Sequence, residues 1–275
     1  WPIMKSAPCL LYRNFPGGGL QRIRDTLSAM LDLSAYPRPI PVLFRADDIG
    51  VLSASFLRML DLFQTHQFPL CLAVVPTWLT QARWKAIQSH VDTGSSLWCW
   101  HQHGWNHTNH QPLGKKCEFG SARSRSAISA DLARGKDRLL SIIGSEFSPF
   151  FTPPWNRCSE ETLEILAELG FSGVSRSKGE QGRNNPLEDF YINVDLHTRK
   201  ETCGRSALEN LCDELRLAAE QHYVSVMIHH QLMNDRAFEL LDLLLTLVAG
   251  NNKFRPCTFH HLGKPKKPER PATGT

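Results

Sequence analysis

Residues 42–50 read VLFRADDIG, an apolar run that ends in two adjacent carboxylates. The run predicts a short buried strand because nearly all of its first five residues are apolar. Two other fragments, HGWNH at 103–107 and IHHQ at 228–231, also follow apolar stretches. Because parallel strands of an α/β fold present their carboxyl ends at one edge of the sheet, we expect the three fragments to lie close together. They would gather two carboxylates and at least three imidazoles in one pocket.

Strands alternate with helices along the chain. The predicted strands lie at 42–46, 68–75, 97–102, 150–152, 171–175, 191–196 and 223–228. This alternation predicts an α/β fold in which helices cover a mainly parallel sheet. About seven strands in one domain favour a closed or nearly closed (β/α) barrel-like fold. A doubly wound open sheet is the alternative.

The length of 275 residues suits one domain of this kind. We expect a single catalytic domain over residues 1–262 and a flexible basic tail, GKPKKPERPATGT, over 263–275. A basic end without a basic face does not predict a nucleic-acid partner. The sequence leaves the oligomeric state open.

The composition is that of an ordinary globular protein, with 41% hydrophobic residues, 21% charged residues and a net charge of +4. No apolar run approaches the roughly 20 residues of a membrane span. The eight cysteines include no CxxC pair, so we expect reduced, mostly buried thiols and no disulfide framework. These features predict a cytoplasmic protein, although a chain that starts at Trp1 leaves room for an upstream segment.

The spacing of His103 and His107 favours a metal site. If the segment turns helically, two histidines four residues apart place both imidazoles on one side, which suits a divalent ion. The alternative is a loop whose histidines only form hydrogen bonds, and His101 and His110 make the cluster redundant. A carboxylate pair at another strand end favours the metal site.

Asp47 and Asp48 would be costly to bury at a strand end without a counter-charge. A metal ion would supply one, and because successive side chains diverge, one carboxylate could bind the ion while the other reaches a water molecule. The alternative is a turn or a helix cap before Gly50. Either His229 or His230 could donate a proton to a leaving group, and we favour His229 because it directly follows the apolar run. The alternative is a buried structural histidine.

Four fragments in order, FRADDIG, HGWNH, FTPPWNRC and VMIHH, resemble the polysaccharide deacetylase superfamily, that is, carbohydrate esterase family four and its divergent relatives. The resemblance covers roughly residues 41–232. The resemblance implies a distorted seven-stranded deacetylase barrel with one divalent metal ion, Zn²⁺. It implies that Asp47 is the catalytic base and His229 the catalytic acid. The protein ligands of the ion would be Asp48, His103 and His107.

The chain departs from the family pattern at two places. The family has an arginine before its Pro-Pro pair, where it orients the base, whereas Thr152 precedes Pro153 and Pro154 here. Arg157 is one candidate replacement, and a base tuned in another way is the alternative. Ile49 is inserted after the aspartate pair, which indicates the divergent branch. These departures bear on a chitin-like substrate more than on the metal.

Aromatic residues beside the motifs suggest a sugar-binding surface. Trp105 and Trp155 could stack on a sugar ring, and packing in the core is the alternative. The candidate substrate contacts are Trp105, Pro154, Trp155, Arg157, His197 and His230. We predict a metal-dependent hydrolase that removes an acyl group, N-acetyl in the first instance, from a sugar, a polysaccharide or another N-acylated small substrate. The alternatives are an inactive carbohydrate-binding relative and a metal-dependent hydrolase of another amide or ester.

Overall fold

The computed structural model describes residues 7–32, 38–179 and 185–262. Within these ranges one sheet contains nine parallel strands: β1 (Ile40–Ile49), β2 (Leu70–Val74), β3 (Trp98–His103), β4 (Phe147–Thr152), β5 (Gly173–Val174), β6 (Glu188–Asp189), β7 (Val194–Asp195), β8 (Val224–Ile228) and β9 (Phe254–Cys257). Their spatial order is β6-β5-β4-β3-β2-β1-β8-β7, and β9 pairs with the first half of β1. The predicted tail, 263–275, lies outside the described residues.

Helices surround the sheet. They are α1 (Leu10–Arg13), α2 (Gly19–Asp32), α3 (Ala54–Thr65), α4 (Gln81–Gln88), α5 (Arg125–Ile143), α6 (Glu160–Glu168), α7 (Gly204–Glu220), α8 (Asp235–Ala249) and α9 (Phe259–Leu262). Short polar side chains begin several of them by accepting a backbone hydrogen bond from the residue three positions on. These capping residues are Ser53, Thr80, Ser124, Ser159 and Asn234.

The sheet curls so that its two edge strands belong to one stretch of chain. β6 pairs with β5, and β7, which follows shortly after, pairs with β8. Between them, Ile192 donates a backbone hydrogen bond to Arg176 and Asn193 donates one to Ser225. One segment therefore bridges the two edges of the sheet. This arrangement confirms the predicted distorted (β/α) barrel and not the doubly wound alternative.

Alternation along β1 distributes its side chains between the two faces of the sheet. Val42, Phe44 and Ala46 belong to the large core between the sheet and the helices. Leu43 belongs to the core inside the barrel. Arg45 follows two residues later and is fully buried. The interior face of β1 therefore changes from apolar to charged toward its carboxyl end.

β1 continues beyond its predicted end at 46 and ends at Ile49. The added part includes Asp47 and Asp48, which lie in a β-bulge. The register against β2 shifts by one residue between Ala46 and Ile49, so β1 carries one extra residue there. Asp48 has a left-handed backbone with φ of 62°. Because a bulge redirects the side chain of the extra residue, two adjacent carboxylates can reach the same pocket.

Two strands lie outside the seven that the sequence predicts. β6 contains only two residues, which is too short for a recognisable pattern. β9 contains Pro256, and a proline weakens the strand signal because it cannot donate to a ladder. β9 pairs with β1 outside the curled order of the other strands and does not contribute to the edge where the motifs meet.

No helix in the described part of the chain is long and apolar enough to cross a membrane. All eight cysteines lie within the described ranges and are free thiols, as the sequence predicts. The buried ones are Cys71, Cys99, Cys117, Cys212 and Cys257. The fold is therefore held together by its apolar cores and its hydrogen-bonded ladders, without disulfide bonds among these cysteines.

An aromatic cluster of Phe44, Phe63 and Phe68 belongs to the large core between the sheet and the helices. A substitution in this cluster tests whether that core stabilises the fold. Phe63 of α3 is fully buried, and its ring centroid lies 5.5 Å from that of Phe44 and 6.2 Å from that of Phe68. We expect Phe63→Ala to lower the free energy of unfolding by about 3–5 kcal/mol because it leaves a cavity. Leu217→Ala on the exposed side of α7 is the control and should change it by less than about 0.5 kcal/mol. Urea unfolding measures both, and equal losses would contradict the assignment.

Candidate metal centre

A carboxylate and two imidazoles converge at the carboxyl ends of β1 and β3. Oδ1 of Asp48 lies 3.4 Å from Nε2 of His103 and 3.2 Å from Nε2 of His107. One potential ligand atom from each residue lies within 4.8 Å of the other two. In the described part of the chain, no other group of three or more His, Cys, Asp or Glu side chains lies close enough together to hold an ion. The structure thus brings together the three side chains that the sequence predicts as ligands.

The ring of His103 is oriented by Thr152, the last residue of β4. Nδ1 of His103 lies 2.9 Å from the carbonyl oxygen of Thr152, and because that oxygen can only accept, Nδ1 must carry the proton. Nε2, which faces Asp48, is then left with a free lone pair. Histidine ligands commonly donate their other ring N–H in this way, which fixes the tautomer. The hydroxyl of Thr152 forms a second hydrogen bond, with Nε2 of His101 at 2.8 Å.

The three side chains fit a divalent cation. Oδ1 of Asp48 is buried and accepts no hydrogen bond from the residues that the structure describes. Burial would raise the pKa of Asp48, but the close approach of His103 and the charges of nearby imidazoles lower it well below its usual range. Burial lowers the pKa of His107 to about 4. Burial also disfavours a charged His103, yet its contact with Asp48 gives a net rise in pKa, so a cation would compete with a proton at Nε2. A carboxylate oxygen facing two imidazole nitrogens is a donor set typical of Zn²⁺.

Asp47 lies beside this group and is held by Arg45. Nε of Arg45 is 2.7 Å from Oδ1 of Asp47, and Nη2 is 2.7 Å from Oδ2, so the pair is bidentate. Burial would raise the pKa of Asp47, but the charges of Arg45, His103 and His229 lower it. Asp47 therefore stays ionised although it is only 2% exposed. In the described part of the chain no hydrogen bond joins Asp47 to Arg157, the replacement that the sequence suggests.

Four residues of the site have left-handed backbones. Their φ values are 62° for Asp48, 53° for His107, 56° for Trp155 and 60° for Asn156. Residues other than glycine seldom adopt this region, and such residues cluster at functional sites, where the surrounding contacts over-determine them. Three of the predicted site residues are among them, which is a backbone signature that the sequence does not show.

The loop that carries His107 rests on a buried carboxylate. Glu118 is fully buried and accepts backbone hydrogen bonds from Asn106 at 2.8 Å and from Trp105 at 3.4 Å. Gly104 has a φ of 64°, and a Cβ atom at this position would lie 2.2 Å from Oε2 of Glu118. The loop therefore packs against Glu118 too closely for a side chain at position 104.

His229 follows β8 and lies between the centre and a buried layer of histidines. Its backbone N–H donates to Nδ1 of His197 at 3.1 Å, while its own Nδ1 is buried and has no hydrogen-bond partner in the described part of the chain. His197 is 2% exposed, and its ring lies 5.3 Å from that of Tyr12. His230 is 1% exposed, and its ring lies 5.3 Å from that of Phe56. His229 is the most exposed of the three, and substrate contact by the other two remains a prediction.

Trp155 borders the ligand set. Its ring centroid lies 4.4 Å from that of His107, and the ring of Trp78 lies 5.8 Å from the same imidazole. Both indoles are half-buried. Trp105 is turned toward α5, where the guanidinium carbon of Arg134 lies 5.2 Å from its ring centroid. Trp155 is therefore better placed than Trp105 to contact a molecule at the metal centre.

The remaining predicted substrate contacts are Pro154 and Arg157. Pro154 is buried, and a Cβ atom on Gly104 would lie 2.6 Å from its Cγ, so it supports the loop at that point. Arg157 is half-buried, and its backbone carbonyl accepts a hydrogen bond from Sγ of Cys117 at 3.4 Å. Nε of Arg157 is buried, and no described residue forms a hydrogen bond with it. Both residues lie next to the site, and their contact with a substrate remains a prediction.

Two supporting residues were missed by the sequence analysis. Arg45 interrupts an apolar strand, and because a buried charge needs a partner, Asp47 on the same face two residues later was a readable signal. Glu118 lies in a polar loop, where nothing in the sequence distinguishes a buried carboxylate from a solvated one. Only the folded path of the loop shows its role.

The three candidate ligands and Asp47 lie in a segment that matches a known family. Residues 39–174 match the family model for polysaccharide deacetylase. This range includes the aspartate pair and the two histidines of the metal centre, whereas His229 lies beyond it. A comparison with curated proteins finds no match.

Several solved structures resemble the chain. Puue allantoinase has a TM-score of 0.62 at 13% identity, over 83% of this chain and 93% of that one. A Mycobacterium smegmatis protein assigned to the polysaccharide deacetylases has a TM-score of 0.61 at 14% identity, over 83% and 91%. The family 4 carbohydrate esterase from Streptomyces lividans, in complex with acetate, has a TM-score of 0.47 at 11% identity, over 78% and 90%. At these identities, the first two show the fold alone.

Gly104 tests whether the histidine loop depends on close packing. We expect Gly104→Ala to lower both the melting temperature and the affinity for Zn²⁺, because its Cβ would collide with Glu118 and Pro154. Gly114→Ala is the matched control, since it has a positive φ of 83° but nothing within 4 Å. The control should show only the roughly 1–2 kcal/mol cost of a left-handed alanine. Equal losses of stability and unchanged zinc affinity in both variants would contradict this account of the loop.

Proposed function

We propose, on the premise that this chain belongs to the polysaccharide deacetylase superfamily, that it is a metal-dependent hydrolase that removes an acyl group from a sugar or polysaccharide. The group removed would be N-acetyl in the first instance. One observation carries the proposal: a buried, unpartnered carboxylate oxygen of Asp48 faces Nε2 of both His103 and His107. This donor set suits a divalent ion, which we propose to be Zn²⁺.

The ligand set and its neighbours would divide the chemistry. Asp48, His103 and His107 would hold the ion, which when bound would polarise the acyl carbonyl as a Lewis acid. Asp47 is ionised and lies beside them, so it can accept the proton of the attacking water. The proposal thus gives two adjacent carboxylates different roles, because their surroundings differ.

His229 is the candidate acid. Its side chain is half-buried and, among the residues that the structure describes, its ring forms no hydrogen bond, so the imidazole is not committed to a protein partner. Its charge contributes to the lowered pKa of both Asp47 and Asp48, as expected for an imidazole near the two carboxylates. Protonation of the leaving amine by a positioned histidine completes a base–acid pair.

The surroundings of the centre support a carbohydrate substrate. The half-buried indole of Trp155 lies next to His107, and an indole offers a flat apolar face against which a sugar ring can pack. Because base, acid and ligand set do not require a sugar, hydrolysis of another amide or ester is the second candidate. The fold similarity to Puue allantoinase supports keeping that candidate. An inactive carbohydrate-binding relative would bind metal without turnover.

Substitution of each aspartate in turn distinguishes the proposed metal ligand, Asp48, from the proposed base, Asp47. We expect Asp48→Asn to lose tightly bound Zn²⁺, because the ionised ligand is removed. Asp47→Asn should keep the ion and lose about 10²–10⁴ in kcat through loss of the general base. The measurements are zinc content by elemental analysis and acetate release from N-acetylated and O-acetylated sugars, with 4-nitrophenyl acetate as a simple ester.

Three outcomes would count against this division of roles. If Asp47→Asn is the variant that loses zinc, the roles are reversed. If both variants keep one zinc per chain, Asp48 is not a ligand. If the native chain binds zinc but releases no acyl group from any amide or ester, the inactive alternative replaces the hydrolase.

The two adjacent histidines at the end of β8 provide a matched pair for the acid. We expect His229→Ala to keep zinc and to lower kcat by about 10²–10⁴. His230→Ala should act mainly on stability, because this side chain is buried against Phe56. Steady-state kinetics, zinc content and thermal melting of both variants decide the matter. Full activity in His229→Ala with a dead His230→Ala would move the acid role by one residue, and two fully active variants would remove support for either.

A further inference from the structure

Arg45 is a charged side chain in the interior of the barrel. It is 0% exposed, and the residues that precede it on β1 are apolar. Burial of an unpaired guanidinium would be strongly destabilising, so its partners must compensate the lost hydration. The described structure shows polar contacts from Nε, Nη1 and Nη2.

Its main contact is a two-point contact with the candidate base. Nε and Nη2 of Arg45 lie 2.7 Å from the two carboxylate oxygens of Asp47. Arg45 and Asp47 are two residues apart on one strand, so their side chains leave the same face. Two parallel hydrogen bonds fix the plane of a carboxylate as well as its position. The geometry leaves Asp47 little freedom to rotate.

Other residues fix the guanidinium in turn. Nη1 of Arg45 donates to Oγ of Ser175 at 2.7 Å, and this hydroxyl donates to the carbonyl of Phe190 at 2.7 Å. Nη2 also donates to Oδ1 of Asn156 at 2.5 Å. The arginine is therefore anchored on the far side of the barrel as well as on its own strand.

Asn156 connects this anchor with the edge of the metal centre. It follows Trp155 in a short 3₁₀ turn, and both residues have left-handed backbones. Trp155 in the same turn packs against His107. The hydrogen bond from Arg45 therefore links the position of Asp47 to the turn that borders the ligand set.

We propose that Arg45 is a positioning residue that holds the Asp47 carboxylate in the orientation needed to accept a proton from the attacking water. This inference rests on the proposed hydrolase function. Asn156 and Ser175 keep the guanidinium in place. If Arg45 only neutralised the charge of Asp47, any cation nearby would be enough. The proposed role needs the planar guanidinium, whose two N–H groups bind both carboxylate oxygens.

Arg45→Lys separates the two roles. A lysine keeps the positive charge but presents a single ammonium group, which cannot make two parallel hydrogen bonds to one carboxylate. We expect this variant to keep one zinc per chain and a KM within about twofold, while kcat falls by roughly 10²-fold, the cost of a misplacement of about 1 Å at a reacting group. A crystal structure of the zinc-loaded variant should show a rotated Asp47 carboxylate.

Arg199→Lys is the matched control. The Arg199 side chain is 2% exposed and pairs with Glu201 at 2.8 Å and Glu214 at 2.9 Å, neither of which is a candidate ligand or the candidate base. This variant should lose stability but keep kcat and the orientation of Asp47. If the control lost kcat as Arg45→Lys does, the effect would come from burying a lysine, and the proposed role would be overturned.

Asn156→Gly provides a second test if Arg45→Lys does not fold. Glycine tolerates the left-handed backbone at this position and removes only the amide that holds Nη2. We expect about a tenfold loss of kcat, comparable to the loss of one hydrogen bond to a charged group, with zinc retained. Full kcat together with an unmoved guanidinium would overturn the proposed role of this anchor.

Failure of the inference can be distinguished from failure of the proposed function. If the native protein releases acetate but Arg45→Lys retains full kcat and an unchanged Asp47 carboxylate, the inference is wrong and the function stands. If the native protein turns over neither the sugars nor 4-nitrophenyl acetate, the function fails. The crystal structures then still decide whether Arg45 orients Asp47: a rotated carboxylate in Arg45→Lys supports this, and an unmoved one overturns it.

Discussion

One extra residue in β1 is the constraint on which the site depends. In a regular strand, neighbouring side chains point to opposite faces, so Asp47 and Asp48 could not share a pocket. The register shift between Ala46 and Ile49, with a left-handed Asp48, makes this possible. Two carboxylates placed side by side repel each other, and each is compensated separately. Arg45 compensates one, and imidazoles with the proposed cation compensate the other. Different partners are what allow adjacent identical groups to have different chemical roles.

The order of elements could be predicted from the alternation of apolar strands and helical segments along the sequence. The convergence of Asp48, His103 and His107 could be predicted because the carboxyl ends of parallel strands meet at one edge of the sheet. The contacts that support His103 and the loop of His107 could not. The carbonyl of Thr152 that orients His103 is present in every residue type, so its identity carries no signal. Glu118 depends on the path of a loop with glycine at a positive φ. Such contacts follow from backbone geometry that side-chain patterns do not encode.

The predicted substrate contacts fall into two layers. Trp155 is half-buried and packs against an imidazole of the ligand set, so it can face both the centre and a bound molecule. His197 and His230 are almost wholly buried, and His197 accepts a hydrogen bond from the backbone of His229. Polar residues near a motif look alike in sequence, yet burial separates those that can line a pocket from those that support it. The candidate acid, His229, is thus held by a neighbour of the same residue type.

The position of Arg45 on the same strand as Asp47 has a mechanical consequence. A guanidinium supplied by a loop would move with that loop, whereas the separation of two side chains on one strand is set by the strand itself. The turn after β4 contributes Asn156, which accepts a hydrogen bond from Arg45 and whose left-handed backbone needs surrounding contacts to persist. Thr152, where the family pattern has arginine, uses its carbonyl and hydroxyl to hold His103 and His101. The candidate base, Asp47, is therefore tied to β1 and the candidate ligand His103 to β4, so the ladders between these strands set the distance between the two side chains.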